Sequence, residues 1–293
     1  MAVAVVTDST SYLPQDLRDE HSISVVSLSV NFGDESYREL DVDYGWFYRR
    51  LASEKSLPTS SAPPASEFVE AFSAAAERGD GVVGVFLSSL MSGTLQAAEL
   101  ARRMVLERIP EATIEIVDGR SNCMQLGMAA LSAARSAESG ADASDAARAA
   151  RETIERTRFL FVPDTLEYLR RGGRIGGASA LLGGILQIRP ILTVADGETG
   201  VYSKVRTKRR ALAEIASVVA ADAERLGLAE VVVHHIEDEA EGRLLAEMLS
   251  EVVGSDIRLV PIGPVIGLHV GPGAAGAVYR TEQPIDTTSP PTA

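Results

Sequence analysis

The 293 residues are 45% hydrophobic and carry 28 basic against 41 acidic side chains, a formal charge of −13. That length supports a large core and two domains, while the acidic balance excludes broad, sequence-independent nucleic-acid binding, which needs a positive footprint. With one cysteine, Cys123, the chain has no intrachain disulfide framework and no multi-cysteine metal site, and a reducing cytoplasm is the expected compartment.

In chain order, Val3 to Val6 reads as a short buried strand ending in Thr7, Asp8, Ser9, Thr10 and Ser11. The N-terminus lacks a basic n-region and reaches Asp8 before a signal-length apolar stretch accumulates, so secretion is not expected. Ile23 to Val30 is a second strand candidate, and Asp41 to Ser53 a helix. Leu57 to Pro64, LPTSSAPP, reads as a hydroxyl-rich loop whose prolines prevent regular pairing. A helix over Ser66 to Arg78, a strand over Val82 to Leu87, a helix from Leu95 and a strand over Ile114 to Val117 follow. Alternating strands and helices predict a parallel sheet with helices on both faces, completed by Ala-rich helices from about Ser121 to Arg156.

From Phe159 the pattern changes. TLEYLRR predicts a short helix, and Ala178 to Val194 is apolar but interrupted by Gly183, Gly184, Gln187, Arg189 and Pro190, which argues against a membrane span. Ile191 to Ala195 and Val201 to Lys204 flank a glycine-containing hairpin loop. Helices over Arg209 to Leu226 and up to Val253 alternate with strands over Val231 to Ile236 and Ile257 to Pro261. The expected fold is α/β in two domains: an N-terminal parallel sheet flanked by helices over 1–156, and an α+β domain with a mixed or antiparallel sheet over 157–281. The proline- and threonine-rich 282–293 is expected to be a disordered tail.

Three stretches carry candidate chemistry. GVFLSSLMSGTLQAA, Gly84 to Ala98, joins a strand to a helix whose first turn holds no acidic residue. Ser88, Ser89, Ser92 and Thr94 add hydroxyls there, so the turn suits an anion as well as it suits a plain serine cap. Asp8 and Ser9, at a strand's carboxyl end, either face the same crevice or form an ordinary turn. KVRTKRR, Lys204 to Arg210, places cations in the first turn of a helix, against its dipole, which suggests an anionic ligand, a phosphorylated partner or lipid headgroups, the alternative being a tolerated surface run. PVIGLHVGPG sets His269 among glycines and apolar residues, where a lone histidine is more often structural than functional. Gly271, Gly273 and Gly276 match a dinucleotide fingerprint only formally, since Pro272 interrupts it. His234 and His235 point to opposite faces of a strand, which is poor metal geometry.

Taken together, TDSTSYL (7–13), PTSSAPP (58–64), SSLMSGTLQAA (88–98), DTLEYLRRGGRIG (164–176), QIRPIL (187–192), SKVRT (203–207) and GPVIGLHVGPG (263–273) resemble the DegV family. These are fatty-acid-binding proteins that include the binding subunits of bacterial fatty acid kinase. The resemblance implies a cytoplasmic carrier, not a catalyst, that needs no cofactor or metal and has a long-chain fatty acid in an apolar tunnel near the domain junction. Thr59, Ser92 and His269 would hold its carboxylate, with Ser60 and Gly93 adjoining and Arg206 nearby. The implied partner is an ATP-dependent kinase subunit that forms an acyl phosphate for phospholipid metabolism, with transient contact to a membrane surface and none to nucleic acid. Ser61 and Ala62 stand before Pro63 where the family motif usually reads Thr-Ser-Gln-Pro, and Leu268 replaces a small hydroxyl residue. The alternative is an enzyme acting on a small phosphorylated metabolite at Ser88 to Thr94 and Lys204 to Arg210, with His269 as acid or base.

Overall fold

The computed structural model describes residues 2–54, 56–182 and 188–286. Gln187 of the QIRPIL stretch, Gly183 and Gly184 of the interrupted apolar region, and 287–293 of the tail lie outside them. The chain forms two compact units, Met1–Asp41 with Ser60–Glu155, and Val42–Thr59 with Arg156–Ala293.

In the first unit, β1 (Val3–Asp8) leads through α1 (Gln15–Glu20) to β2 (Ser24–Val26), β3 (Ser29–Phe32) and β4 (Glu35–Arg38). The single strand expected over Ile23 to Val30 is therefore two. Between them the Leu28 N–H donates to Ser9 Oγ at 3.1 Å and its carbonyl accepts from Glu39 N at 2.8 Å, so the chain leaves one sheet for another. Next comes α2 (Tyr44–Ser53), capped by Asp43 Oδ1 accepting from Trp46 N at 2.6 Å; it belongs to the second unit. The continuous division at 156 thus differs from the compact units, because an N-terminal segment packs with the later sequence.

β5 (Thr59–Ser61) adds to β3 in the order β4-β3-β5, contrary to the loop expected across LPTSSAPP. Pro58, Pro63 and Pro64 flank the paired stretch and remove no hydrogen bond from it. The inserted Ser61 accepts from Asn31 Nδ2 at 3.3 Å.

α3 (Ala65–Ala76), β6 (Gly81–Phe86), α4 (Thr94–Arg108), β7 (Ile114–Asp118), α5 (Cys123–Glu138) and α6 (Ala143–Glu155) complete the unit. Its main sheet is parallel, in the order β2-β1-β6-β7. Every residue of β6, GVVGVF, is buried, as expected for a central parallel strand covered on both faces. On one side Phe68 and Phe72 of α3 pack with Phe86, the Phe68 and Phe86 rings meeting edge-on at 5.1 Å. Cys123 is buried in the helical core and its thiol pKa is raised by desolvation, as fits a packing residue.

The second unit contains β8 (Thr157–Val162), α7 (Glu167–Arg171), β9 (Arg189–Ala195), β10 (Glu198–Val205), α8 (Lys208–Leu226), β11 (Leu228–His235), α9 (Glu239–Val253), β12 (Arg258–Pro261), α10 (Pro264–Val270) and β13 (Ala275–Thr281). Its mixed sheet runs β10-β9-β8-β13-β11-β12, antiparallel except for β11 with β12. Asp196 and Gly197 make the β9–β10 hairpin, both at positive φ, as a two-residue turn of the favoured hand requires. α8 and α9 bury Leu212, Ile215, Val219, Leu245 and Leu249 with Leu160, Val233 and Ala277 of the sheet.

The start of the expected tail is packed. Ile285 is buried in this core, and Arg158 donates to the Asp286 carbonyl at 2.8 Å while pairing with buried Asp222 at 2.7 Å. Proline and threonine content alone hid that single apolar anchor. Among the described residues no helix is long and apolar enough to cross a membrane.

Candidate functional site

The first candidate region is the loop that leaves the carboxyl end of β6, between β1 and β7. Most of its backbone donors are used internally, which leaves only a few of them for the anion considered from the sequence. Leu87 N donates to Asp8 Oδ2 at 2.8 Å, Ser88 N to the Ser121 carbonyl at 2.9 Å, and Ser89 N to Asp118 Oδ1 at 3.3 Å. Leu90 N reaches Ser88 Oγ, and both Met91 N and Ser92 N reach the Ser88 carbonyl. Thr94 N donates to Ser92 Oγ at 3.3 Å.

Gly93, Leu95 and Gln96 N–H groups find no acceptor among the described residues, and the first turn of α4 holds no acid. Those amides and the positive end of a 15-residue helix favour an anion. Ser92 Oγ lies 2.9 Å from Thr94 Oγ1; with Thr94 donating in that pair, the Ser92 proton can point at a ligand. Ser92 is partly buried, Gly93 is exposed, and Ser60, in the same unit, is partly buried on β5.

Asp8 is fully buried and forms the turn rather than lining a crevice. Its Oδ1 accepts from Thr10 N at 2.9 Å and Thr10 Oγ1 at 2.5 Å, while Ser9 Oγ donates to Glu39 at 2.6 Å. Desolvation pushes the Asp8 pKa up to about 6, against the opposing pull of its hydrogen bonds from Thr10 and Leu87.

The second region is α10, in the second unit. Pro264 at its first turn suits a helix start, and His269 sits in its last turn. Tyr48 of α2 donates to the carbonyls of Ile262 at 2.9 Å and Gly263 at 3.2 Å, fixing where α10 begins. Gly267 is required there, because a Cβ would fall on the Tyr48 hydroxyl. A Cβ at Gly172 would likewise collide with His269 Nδ1, so the bare Gly172 after α7 clears room for the imidazole. Burial, and secondarily the Arg174 charge, lower the His269 pKa to about 4, so near neutral pH the ring is uncharged with one N–H to donate. Leu268 is buried as part of the core.

Thr59, which follows α2, is exposed in this second unit, as is Arg206 between β10 and α8. The six expected contacts therefore divide evenly, Ser60, Ser92 and Gly93 in one unit and Thr59, Arg206 and His269 in the other. The basic run also divides by role. Thr207 caps α8 by accepting from Arg210 N at 3.2 Å, and Lys208 donates to Asp238 at 2.8 Å and to the Gly273 carbonyl at 2.7 Å, with Asp164 at 3.6 Å. These carboxylates offset a cation placed against the helix dipole. Lys204, Arg206, Arg209 and Arg210 are exposed and make no ion pair among the described residues.

His234 is buried with Nδ1 2.9 Å from the Val260 carbonyl, while His235 is only partly buried, as alternation on β11 demands. Among the described residues no group of three or more His, Cys, Asp or Glu side chains could hold a metal ion. Sequence reasoning missed Tyr48, Gly172 and Asp118. The GG pair at 172–173 was a visible signal of a tight approach, whereas nothing near Tyr48 marks a contact more than 200 positions away.

The family model described as an uncharacterised protein of the DegV family matches residues 2–282. A DegV domain-containing protein of Clostridium acetobutylicum is 47% identical over 97% of this chain and 99% of its own length. The chain belongs to the DegV family. Among solved structures, a fatty-acid-binding DegV-family protein from Thermus thermophilus is similar with a TM-score of 0.86 at 30% identity, covering 96% of this chain and 100% of that one. DegV of Bacillus subtilis, described as a fatty acid binding protein, gives 0.83 at 32% identity, covering 96% and 99%. Both units of this DegV-family chain thus have counterparts in the same solved proteins.

Proposed function

We propose that this chain binds a long-chain fatty acid through its carboxylate, and that Thr59, Ser92 and His269 are the contacts, with Ser60, Gly93 and Arg206 contributing around them. The observation that carries this reading is the near full-length likeness to DegV-family structures described as fatty acid binding. The local chemistry supports it. Ser92 and the amides of Gly93, Leu95 and Gln96 offer donors without a competing acid, and a neutral His269 donates a hydrogen bond without the cost of burying a charge. Burying the acyl chain supplies ~0.8 kcal/mol per CH₂.

In the finer reading, the protein is a cytoplasmic carrier that presents the carboxylate to an ATP-dependent kinase subunit for phosphorylation. The exposed cations Lys204, Arg206, Arg209 and Arg210 offer a local docking surface for that partner, or for anionic lipid during loading, on an otherwise acidic protein.

Organic extraction of purified protein followed by mass spectrometry is expected to release one fatty acid per chain. Repeated lipid-free preparations that also refuse added oleate would sink the reading. Ser92→Ala and His269→Ala are each expected to weaken oleate binding about tenfold, the loss of one hydrogen bond to a charged acceptor.

A further inference from the structure

The three parallel strands β1, β6 and β7 end side by side, and the loop leaving the middle one is tied to both neighbours. From the β1 side, Asp8 Oδ2 accepts from Leu87 N at 2.8 Å. From the β7 side, Asp118 takes Ser89 twice, its Oδ1 accepting from Ser89 N at 3.3 Å and its Oδ2 from Ser89 Oγ at 2.5 Å. We propose that Asp8 and Asp118 are positioning residues that grip the Leu87 to Thr94 loop from two flanking strands and so set where Ser92 and the open amides of α4 stand. The proposal rests on the fatty-acid reading for the ligand that those groups meet.

The sheet itself cannot do this. Its ladder beside β7 ends at Phe86, whose carbonyl accepts from Gly119 N at 2.7 Å, and the loop beyond is left with a run of N–H donors. A carboxylate is the side chain with enough acceptor positions to gather such donors. Asp8 collects Thr10 N, Thr10 Oγ1 and Leu87 N; Asp118 collects Ser89 N, Ser89 Oγ and Arg120 N.

Stability alone would not select Asp8 here. It is fully buried and, among the described residues, no cation faces it, a costly arrangement that an apolar residue would avoid. β2 and β6 contribute no titratable side chain, and α3 packs Phe68 and Phe72 into the core shared with Val6 of β1. Past the end of β1 the titratable groups are Glu39, which accepts from Ser9 Oγ and Tyr12 Oη, the Tyr12 phenol itself, and the buried Cys123 thiol of α5, none of them positive. Protonating Asp8 would replace one acceptor lone pair with a donor and weaken the grip on Leu87. The loop's arrangement is therefore linked to acidity as well as to packing.

The test uses full-length protein, oleate calorimetry from pH 5.5 to 8, and amide hydrogen exchange at Leu87 and Ser89. Asp8→Asn keeps an oxygen for Thr10 but turns an amide N–H toward Leu87 N–H. It is expected to bind oleate about tenfold more weakly at pH 7.5 and to lose the extra weakening that wild type shows on acidification. Asp118→Ala is expected to cost about tenfold and Ser89→Ala about threefold, whereas Asp118→Asn retains affinity because its amide can donate to Ser89 Oγ. Wild-type affinity and pH profile in Asp8→Asn and Asp118→Ala would overturn the proposal. If wild type binds no oleate at any pH, the fatty-acid reading has failed instead. Exchange then decides the positioning role, and unchanged protection of Leu87 and Ser89 in those variants overturns it. Ser89→Ala, at a partly exposed hydroxyl, provides the same readout should Asp8→Asn not fold.

Discussion

The loop after β6 and the helix α10 each present a small polar group, but they are built by opposite means. The loop is held by directional hydrogen bonds to Asp8, Asp118 and Ser121, with space around Gly93, where a Cβ would meet only Gln96 Oε1 at 3.8 Å. α10 is held by close packing, with glycines at 172 and 267 opening room for His269 and Tyr48. A site made from hydrogen bonds tolerates extra volume and responds to protons. One made by exclusion does not tolerate extra volume, and its buried imidazole responds to protons with the opposite sign.

The same substitution in the two regions breaks the comparison most directly. Gly267→Ala puts a methyl onto the Tyr48 hydroxyl and is expected to cost ~3 kcal/mol in urea unfolding, at the upper end for overpacking a buried site. Gly93→Ala, with φ of −76° and open space, is expected to stay within ~0.5 kcal/mol of wild type. Equal midpoints for the two variants would remove the steric account of α10.

Acidification is the next largest probe, because the regions titrate with opposite sign. Asp8 has a folded pKa raised from 3.8 to about 6, so its contribution to stability is fully present below 3.8 and is lost as pH rises through about 6. His269, lowered from 6.5 to about 4, contributes stability above 6.5 that is lost as pH falls through about 4, and buried His234 behaves likewise. Unfolding free energies measured from pH 7 to 4 are therefore expected to fall more steeply for Asp8→Asn than for wild type, and less steeply for His269→Asn, by up to about 3 kcal/mol. Parallel curves for all three proteins would contradict these assignments.

Tyr48→Phe gives the smallest of the three effects. It removes one hydroxyl donor shared by the Ile262 and Gly263 carbonyls while keeping the ring, with an expected loss of ~1 kcal/mol. A binding defect beyond that stability loss would show that the start of α10 also sets the His269 position.

Much of this arrangement was readable residue by residue. Hydrophobic period placed β6, α4 and the β9–β10 hairpin within a few positions, since buried strands and amphipathic helices write their period into the chain. The acid-free start of α4 and the clustered hydroxyls marked Ser88 to Thr94 as a candidate anion site, and the family motif singled out Ser92 within it. The pairing of β5 was hidden because prolines were weighed as breakers without regard to which side of the strand they flank. Packing of the tail was hidden because Ile285 is one apolar residue among polar ones, and one contact leaves no period.

By itself, then, the sequence determined the two layered folds, the acid-free helix start and the family membership. These follow from local patterning and from motifs that each occupy a few consecutive residues. Only the tertiary structure decided that Val42–Thr59 joins the second unit, that Tyr48 sets the start of α10, and that Asp8 and Asp118 accept from Leu87 and Ser89 of the loop. The physical reason is range. A helix period or a cap is written within about one turn, whereas a hydroxyl 214 residues from its carbonyl, or a glycine kept bare for another element's side chain, leaves no mark in its own neighbourhood.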